Sequence, residues 1–125
     1  MILLSDAAVL IDLGYVGGLK LLPQIAPIEV LDVVLLECED ERQPDLANEM
    51  VAAGIQIITT QDTWIEAADD YKSAALSVQD CLNVHYAKEF ERILLATDGA
   101  LRRKCEQEGV GVHGTLWLIE EAFHK

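Results

Sequence analysis

An α/β domain, built as a central parallel sheet of about four or five strands with helices on both faces, is the fold this sequence predicts. Three features predict it. The 125 residues are 51% hydrophobic, enough for one sizeable core and too few for two, so residues 1–125 read as one domain. Short apolar, β-branched runs alternate with segments of helical periodicity from end to end. Gly17-Gly18, Pro27, Gly54 and Gly109 fall between these segments, where chain reversals are needed.

Residues 1–4 form the first apolar strand and residues 6–13 the first helix, which Gly17-Gly18 ends. Residues 19–25 predict a short helix before Pro27, and residues 28–34 a second strand. Helical character resumes over residues 35–42. Pro44 and Asp45 open a helix over residues 46–53, and Ile55-Gln-Ile-Ile58 supplies a third strand. Residues 62–72 read as an acidic helix, residues 77–89 as an amphipathic one, and residues 93–96 as a fourth strand. Asp98-Gly99 turns into a helix over residues 100–108, closed by Gly109, and residues 110–112 make a short strand before a last helix from Thr115. In such sheets, ligands bind outside the carboxyl ends of the strands.

Composition narrows the function classes. Met1-Ile-Leu-Leu has no basic flank and Asp6 and Asp12 interrupt its apolar run, so neither a signal peptide nor a membrane span is expected. A cytoplasmic protein with no membrane partner is the expectation. Cys38, Cys81 and Cys105 lie far apart with no C-x-x-C pair, which reads as packed thiols rather than a zinc or redox motif. The formal charge of −13 opposes nonspecific binding to a polyanion, unless part of the acidity is gathered to hold Mg²⁺ or Mn²⁺.

Asp6 follows the first strand and Asp98 the fourth, so both belong at the carboxyl edge of a parallel sheet. Each also suits a helix N-cap. Glu37 opens an acidic run, Glu37-Cys-Glu-Asp-Glu41, only part of which can share one helix face. Asp80 lies on a helix face with Leu76, Asn83, Val84 and Ala87, where a carboxylate needs a partner. Ser77 and Asp80 could supply it as a capping box, and metal coordination is the alternative. Arg102, Arg103 and Lys104 form a basic cluster one helical turn past Asp98, read either as solvated surface or as a phosphate contact. His85, His113 and His124 match no metal spacing, and Gly109-Val-Gly-Val-His-Gly114 copies a dinucleotide fingerprint in the wrong context, after a helix.

In order, spacing and flanking residues these acids resemble the PIN-domain family of metal-dependent nucleases. Leu4-Ser-Asp6-Ala-Ala-Val-Leu-Ile-Asp-Leu13 looks like its opening motif, Val33-Val-Leu-Leu-Glu37 its second and Leu76-Ser-Val-Gln-Asp80-Cys-Leu its third. Leu94-Leu-Ala-Thr97-Asp98-Gly-Ala-Leu-Arg102-Arg, running on to Gly114-Thr-Leu, resembles the C-terminal part of small prokaryotic members. The resemblance implies catalytic, metal-binding roles for Asp6, Glu37, Asp80 and Asp98. It implies Mg²⁺ or Mn²⁺ as cofactor and substrate contacts from Thr97, Arg102 and Arg103. RNA is the implied substrate, and an antitoxin protein and a second copy of the chain are implied partners, as in toxin-antitoxin pairs. Ala7-Ala8 stand where many members carry a hydroxyl or amide, and Gly99 stands where some carry a second acid. Ala7-Ala8 and the low basic content favour the rival reading of a catalytically weak or inactive PIN-scaffold regulator. A receiver-like phosphotransfer domain fits less well, because it needs adjacent acids after the first strand.

Overall fold

The structure, a computed structural model, describes residues 1–38 and 43–124. Strands β1 (Leu3–Ser5), β2 (Ile28–Leu31), β3 (Gln56–Ile58), β4 (Ile93–Leu95) and β5 (Val112–His113) form one sheet in the order β3-β2-β1-β4-β5. Every neighbouring pair is parallel. The chain therefore builds outward from β1 to β3, returns to the centre, and builds outward again through β4 and β5. The reversal falls between β1 and β4, and this is the switch point at which open parallel sheets offer a crevice.

Eight α-helices among the described residues connect the strands: α1 (Ala7–Tyr15), α2 (Leu22–Ile25), α3 (Asp32–Glu37), α4 (Leu46–Ala52), α5 (Asp62–Ala68), α6 (Val78–Glu89), α7 (Gly99–Glu108) and α8 (Thr115–Phe123). The central strands are apolar without alternation because helices cover both faces. Leu3, Leu4, Leu94 and Leu95 are fully buried, with Val9, Leu10, Val30 and Leu101 packed into the same core. Trp64 of α5 meets Tyr86 and Phe90 edge-on, at ring-centroid distances of 5.2 and 5.6 Å, and so joins α5 to α6. Gly109 closes α7 at φ 73°, a left-handed conformation that a side chain would oppose.

Several boundaries differ from the sequence expectation. The strand expected over residues 28–34 stops at Leu31, because the Asp32 carboxylate starts a helix. Its Oδ1 accepts from Val33 N at 2.8 Å, Thr60 N at 3.1 Å and Thr60 Oγ1 at 2.6 Å. The helix expected over residues 35–42 thus begins at Asp32, and the rest of that expectation, with Glu39, Asp40 and Glu41, lies outside the described residues. Residues 19–25 divide into a 3-10 turn, Leu19–Leu21, and α2. Residues 62–72 divide into α5 and a 3-10 turn, Asp69–Tyr71. The last strand starts at Val112, two residues late, since Val110 N is engaged by Cys105 O in closing α7.

Among the described residues no single helix is long and apolar enough to cross a membrane. The pair Ala7–Tyr15 and Leu19–Ile25 has the length and composition together, but bends by 116° between its parts.

Beneath the sheet Glu29 of β2 is buried and takes two charge-assisted hydrogen bonds, from Arg92 Nε at 2.8 Å and Tyr86 Oη at 3.0 Å. This carboxylate raises the pKa of Arg92, chiefly through their hydrogen bond, and helps burial push the Tyr86 phenol upward. Arg92→Ala would strand a buried charge and should cost about 2–4 kcal/mol in urea unfolding. Removing the exposed Lys88–Glu108 pair by Lys88→Ala should cost under about 1 kcal/mol. Equal losses would contradict the structural role given to Glu29.

Candidate functional site

Each strand is followed at once by a helix: β1 by α1, β2 by α3, β3 by α5, β4 by α7 and β5 by α8. With all strands parallel, those five helix N-termini gather at the carboxyl edge, where their partial positive charge favours carboxylates. Asp6 and Asp98 sit on neighbouring strand ends, since Ser5 pairs with Leu95 and Asp6 N donates to Leu95 O at 3.0 Å.

The Asp residues that the sequence singles out cap helices. Asp6 Oδ1 accepts from Val9 N at 3.0 Å, and Asp98 Oδ2 accepts from Leu101 N at 2.9 Å. At the start of α6, Asp80 N donates to Ser77 Oγ while Ser77 N donates to Asp80 Oδ2, both at 3.0 Å, which is a complete capping box. Capping and ligation are not exclusive. A carboxylate has two oxygens. Asp6 Oδ2, Asp80 Oδ1 and Asp98 Oδ1 make no hydrogen bond among the described residues, so each cap fixes a side chain and leaves an acceptor exposed to other use.

Electrostatics tie three of the four acids together. Asp6 is 6% exposed, and its carboxyl is pushed up to about 6. Burial is the largest cause, the Val9 N–H opposes it, and the charges of Asp80, Glu37 and Asp12 add to it. Glu37 ends α3 and is raised by burial and then by Asp80. Charge from the same acids reaches the thiols: Cys38 is pushed up to about 12 by burial, then by Glu37 and Asp6, and Cys105 to about 11 by burial, then by Glu106 and Asp80. All three cysteines are buried and free. Asp98 shares the edge through its strand pairing.

The donor set suits a hard divalent cation in type and charge. It is not a preformed cage, because among the described residues no three His, Cys, Asp or Glu side chains stand close enough to hold one ion. Asn83 adds an oxygen one turn beyond Asp80 on α6. It is 1% exposed and its Oδ1 has no hydrogen-bond partner among the described residues, a condition that marks a place for bound water or an ion.

Two basic residues of α7 reach toward helix starts. A methyl on Gly99 would lie 3.2 Å from Arg103 Nη1, and one on Gly114 would lie 2.9 Å from Arg102 Nη1, so both guanidinium groups fold back toward the carboxyl edge. Lys104 lies instead over the Tyr71 ring, 5.9 Å from its centroid. Arg102 and the exposed Thr97 line an open cleft of about 360 Å³ beside α8. His113 and Trp117 line it too and stack with centroids 4.1 Å apart and planes 6° from parallel. In the sequence His113 matches no metal spacing and Trp117 belongs to no motif. Their spacing across a strand–helix junction gives no periodic signal, and Asp32 with its Thr60 partner was equally invisible.

These features define a class, an α/β domain with acids at the switch point of a parallel sheet. The PIN domain family model, DUF3368, matches residues 2–125, and the chain belongs to that family. No curated protein matches it. Solved structures match the fold. A PilT N-terminus domain protein from the hyperthermophilic archaeon Sulfolobus solfataricus aligns with TM-score 0.74 and 13% identity, over 100% of this chain and 96% of that one. PAE2754 from Pyrobaculum aerophilum aligns with TM-score 0.69 and 14% identity, over 98% and 90%. VapBC2 from Rickettsia felis, bound to a DNA fragment from its promoter, aligns with TM-score 0.64 and 14% identity, over 91% and 98%.

The raised Asp6 carboxyl has a signed consequence for the metal-free protein. Its folded value of about 6 exceeds its unfolded value of about 3.9, so its contribution is full below about pH 4 and lost as pH rises through 6. Asp6→Asn preserves the cap and removes the titration. In EDTA, urea unfolding should show wild type losing up to about 3 kcal/mol relative to Asp6→Asn between about pH 4 and pH 7. Parallel pH profiles would contradict the assignment.

Proposed function

We propose that this chain is a divalent-metal-dependent endoribonuclease. What supports the reading is the gathering of carboxylates at the carboxyl edge: burial raises Asp6 and Glu37, the charge of Asp80 adds to both, and Asp98 follows the strand paired with that of Asp6. Members of the PIN family are generally nucleases, and its nucleases generally depend on divalent metal. RNA as substrate comes from the family resemblance.

Asp6, Glu37, Asp80 and Asp98 would hold Mg²⁺ or Mn²⁺, with the unpartnered Asn83 oxygen suited to a water of its shell. One or two carboxylates with water and substrate phosphate suffice for Mg²⁺, so an incomplete protein cage is compatible with the role. Bound there, the cation would lower the pKa of water and offset charge on the phosphate. The protein contributes the rest. Its caps hold the carboxylates still, and Thr97, Arg102 and Arg103 would orient the phosphodiester. In hydrolysis the water oxygen bonds to phosphorus, the ester P–O bond breaks, and the departing oxygen gains the proton that water gives up.

A second reading, a PIN scaffold with weak or no cleavage, is favoured by the absence of a three-ligand group among the described residues and by Ala7-Ala8. The implied antitoxin or second copy would require apolar surface, and Leu116, Ile119 and Phe123 provide an exposed stripe along α8. VapBC2 of Rickettsia felis is the neighbour that suggests a toxin role.

Asp98→Asn and Asp6→Asn should abolish Mn²⁺-dependent cleavage of RNA while remaining folded, and unchanged cleavage by either purified variant would refute its role. Mn²⁺ should stabilise wild type by about 2.7 kcal/mol at a concentration one hundredfold above its Kd. No thermal shift with Mn²⁺ would favour the inactive scaffold. RNA affinity should require Mn²⁺ rather than follow a broad basic surface, because only nine Lys and Arg residues are available. Tight binding in EDTA that falls steeply with monovalent salt would contradict this.

A further inference from the structure

The cleft beside α8 carries features that phosphodiester hydrolysis does not require. Thr97, which precedes Asp98 in the chain, lies on its wall, so the cleft lies beside the carboxyl edge. Arg102 approaches from α7 and rests against Gly114, whose missing side chain makes room for the guanidinium. His113 and Trp117 present a flat, parallel pair on the same lining, both half-buried and already stacked at 4.1 Å. A cation beside preorganised aromatic rings suits a group that is anionic at one end and planar at the other. Nucleotides have that form. The cleft volume of about 360 Å³ is within the range that encloses a small planar ligand.

We propose that this cleft is a nucleotide subsite that takes one unpaired base of single-stranded RNA, flanking the bond to be cut. The inference rests on the ribonuclease reading for RNA as the ligand. The base extends the His113–Trp117 stack, and the adjoining phosphate meets Arg102. Glu120, also on the lining, repels phosphate and offers an acceptor to the base's N–H groups, which favours one direction of the nucleotide. Duplex RNA is excluded, because its bases are committed to their own stack. Stacking tolerates any base, so the subsite selects strandedness more than sequence. In a chain of net charge −13 such a contact adds affinity without a basic surface.

The test uses the two-tryptophan composition. In a Trp64→Phe background Trp117 is the only tryptophan, and its fluorescence is titrated in Mn²⁺ with four oligonucleotides of equal length. These are single-stranded RNA, its abasic analogue, duplex RNA and single-stranded DNA. Single-stranded RNA should quench Trp117, and abasic and duplex forms should not. Trp117→Leu, followed by anisotropy of labelled RNA, should weaken binding roughly tenfold for the base-bearing strand and leave the abasic strand unchanged. Gly114→Ala displaces Arg102 while keeping both rings, and should weaken both strands alike. Far-ultraviolet dichroism checks that each variant is folded, with Trp117→Phe as a conservative ring that restores affinity. Silence of Trp117 toward single-stranded RNA, equal loss on the abasic strand in Trp117→Leu, or a response to DNA alone would overturn the proposal. Cleavage is measured in parallel. Cleavage with a silent Trp117 removes the subsite and leaves the nuclease reading standing, whereas quenching without cleavage supports the subsite and removes the nuclease.

Discussion

Because all five strands run in one direction, the helix that leaves each strand starts at the same edge of the sheet. Everything functional in this chain depends on that constraint. A parallel sheet requires crossover helices, the helices bury both faces, and the helix N-termini at the carboxyl edge present N–H groups that have no partner within their own helix. Those groups donate to carboxylate oxygens, as Val9 N does to Asp6 and Leu101 N to Asp98. The switch point between β1 and β4 then brings the ends of two strands together, and Asp6 and Asp98 follow them. Acids collect there because the backbone both tolerates and orients them.

Tolerance has a limit, which the raised carboxyl of Asp6 displays. One N–H from Val9 lowers it, but burial and the Asp80 and Glu37 charges outweigh that bond. The fold thus keeps a buried acid in a field that favours its proton. Relief can come from a proton or from a cation, and the two compete for the same oxygens. Any cation held at such a site would be coupled to pH. The buried, unpartnered oxygen of Asn83 adds to the same local deficit of positive charge and donors. By contrast, the equally buried Glu29 is satisfied by Arg92 and Tyr86, and serves the sheet rather than chemistry.

Charge placement sharpens the contrast. Of nine basic residues, three fall on α7, and the structure sends them three ways: Arg102 to the cleft beside α8, Arg103 toward Gly99, and Lys104 over Tyr71. Glycines at the two helix starts are what let the guanidinium groups come close. The basic residues of α7 are thereby dispersed as separate point charges rather than gathered into a uniformly basic groove.

The sequence by itself determined the alternating order of strands and helices, the parallel sheet, and the placement of Asp6 and Asp98 at its edge. These follow from local periodicity and from residues adjacent to strand ends. It also determined that Asp80 needed a partner, and both of its candidate explanations were legible in Ser77-Val-Gln-Asp80. Tertiary structure decided what depends on contacts between distant segments. Thr60 binds Asp32 across 28 positions and ends β2 early, so that Glu37 closes a helix rather than opening one. Arg92 and Glu29 meet across 63 positions. The field at Asp6 sums charges from α3 and α6, and the cleft beside α8 exists only because β5 lies against β4. Periodicity carries no record of such encounters, since side chains on separate elements are matched by packing and not by spacing along the chain.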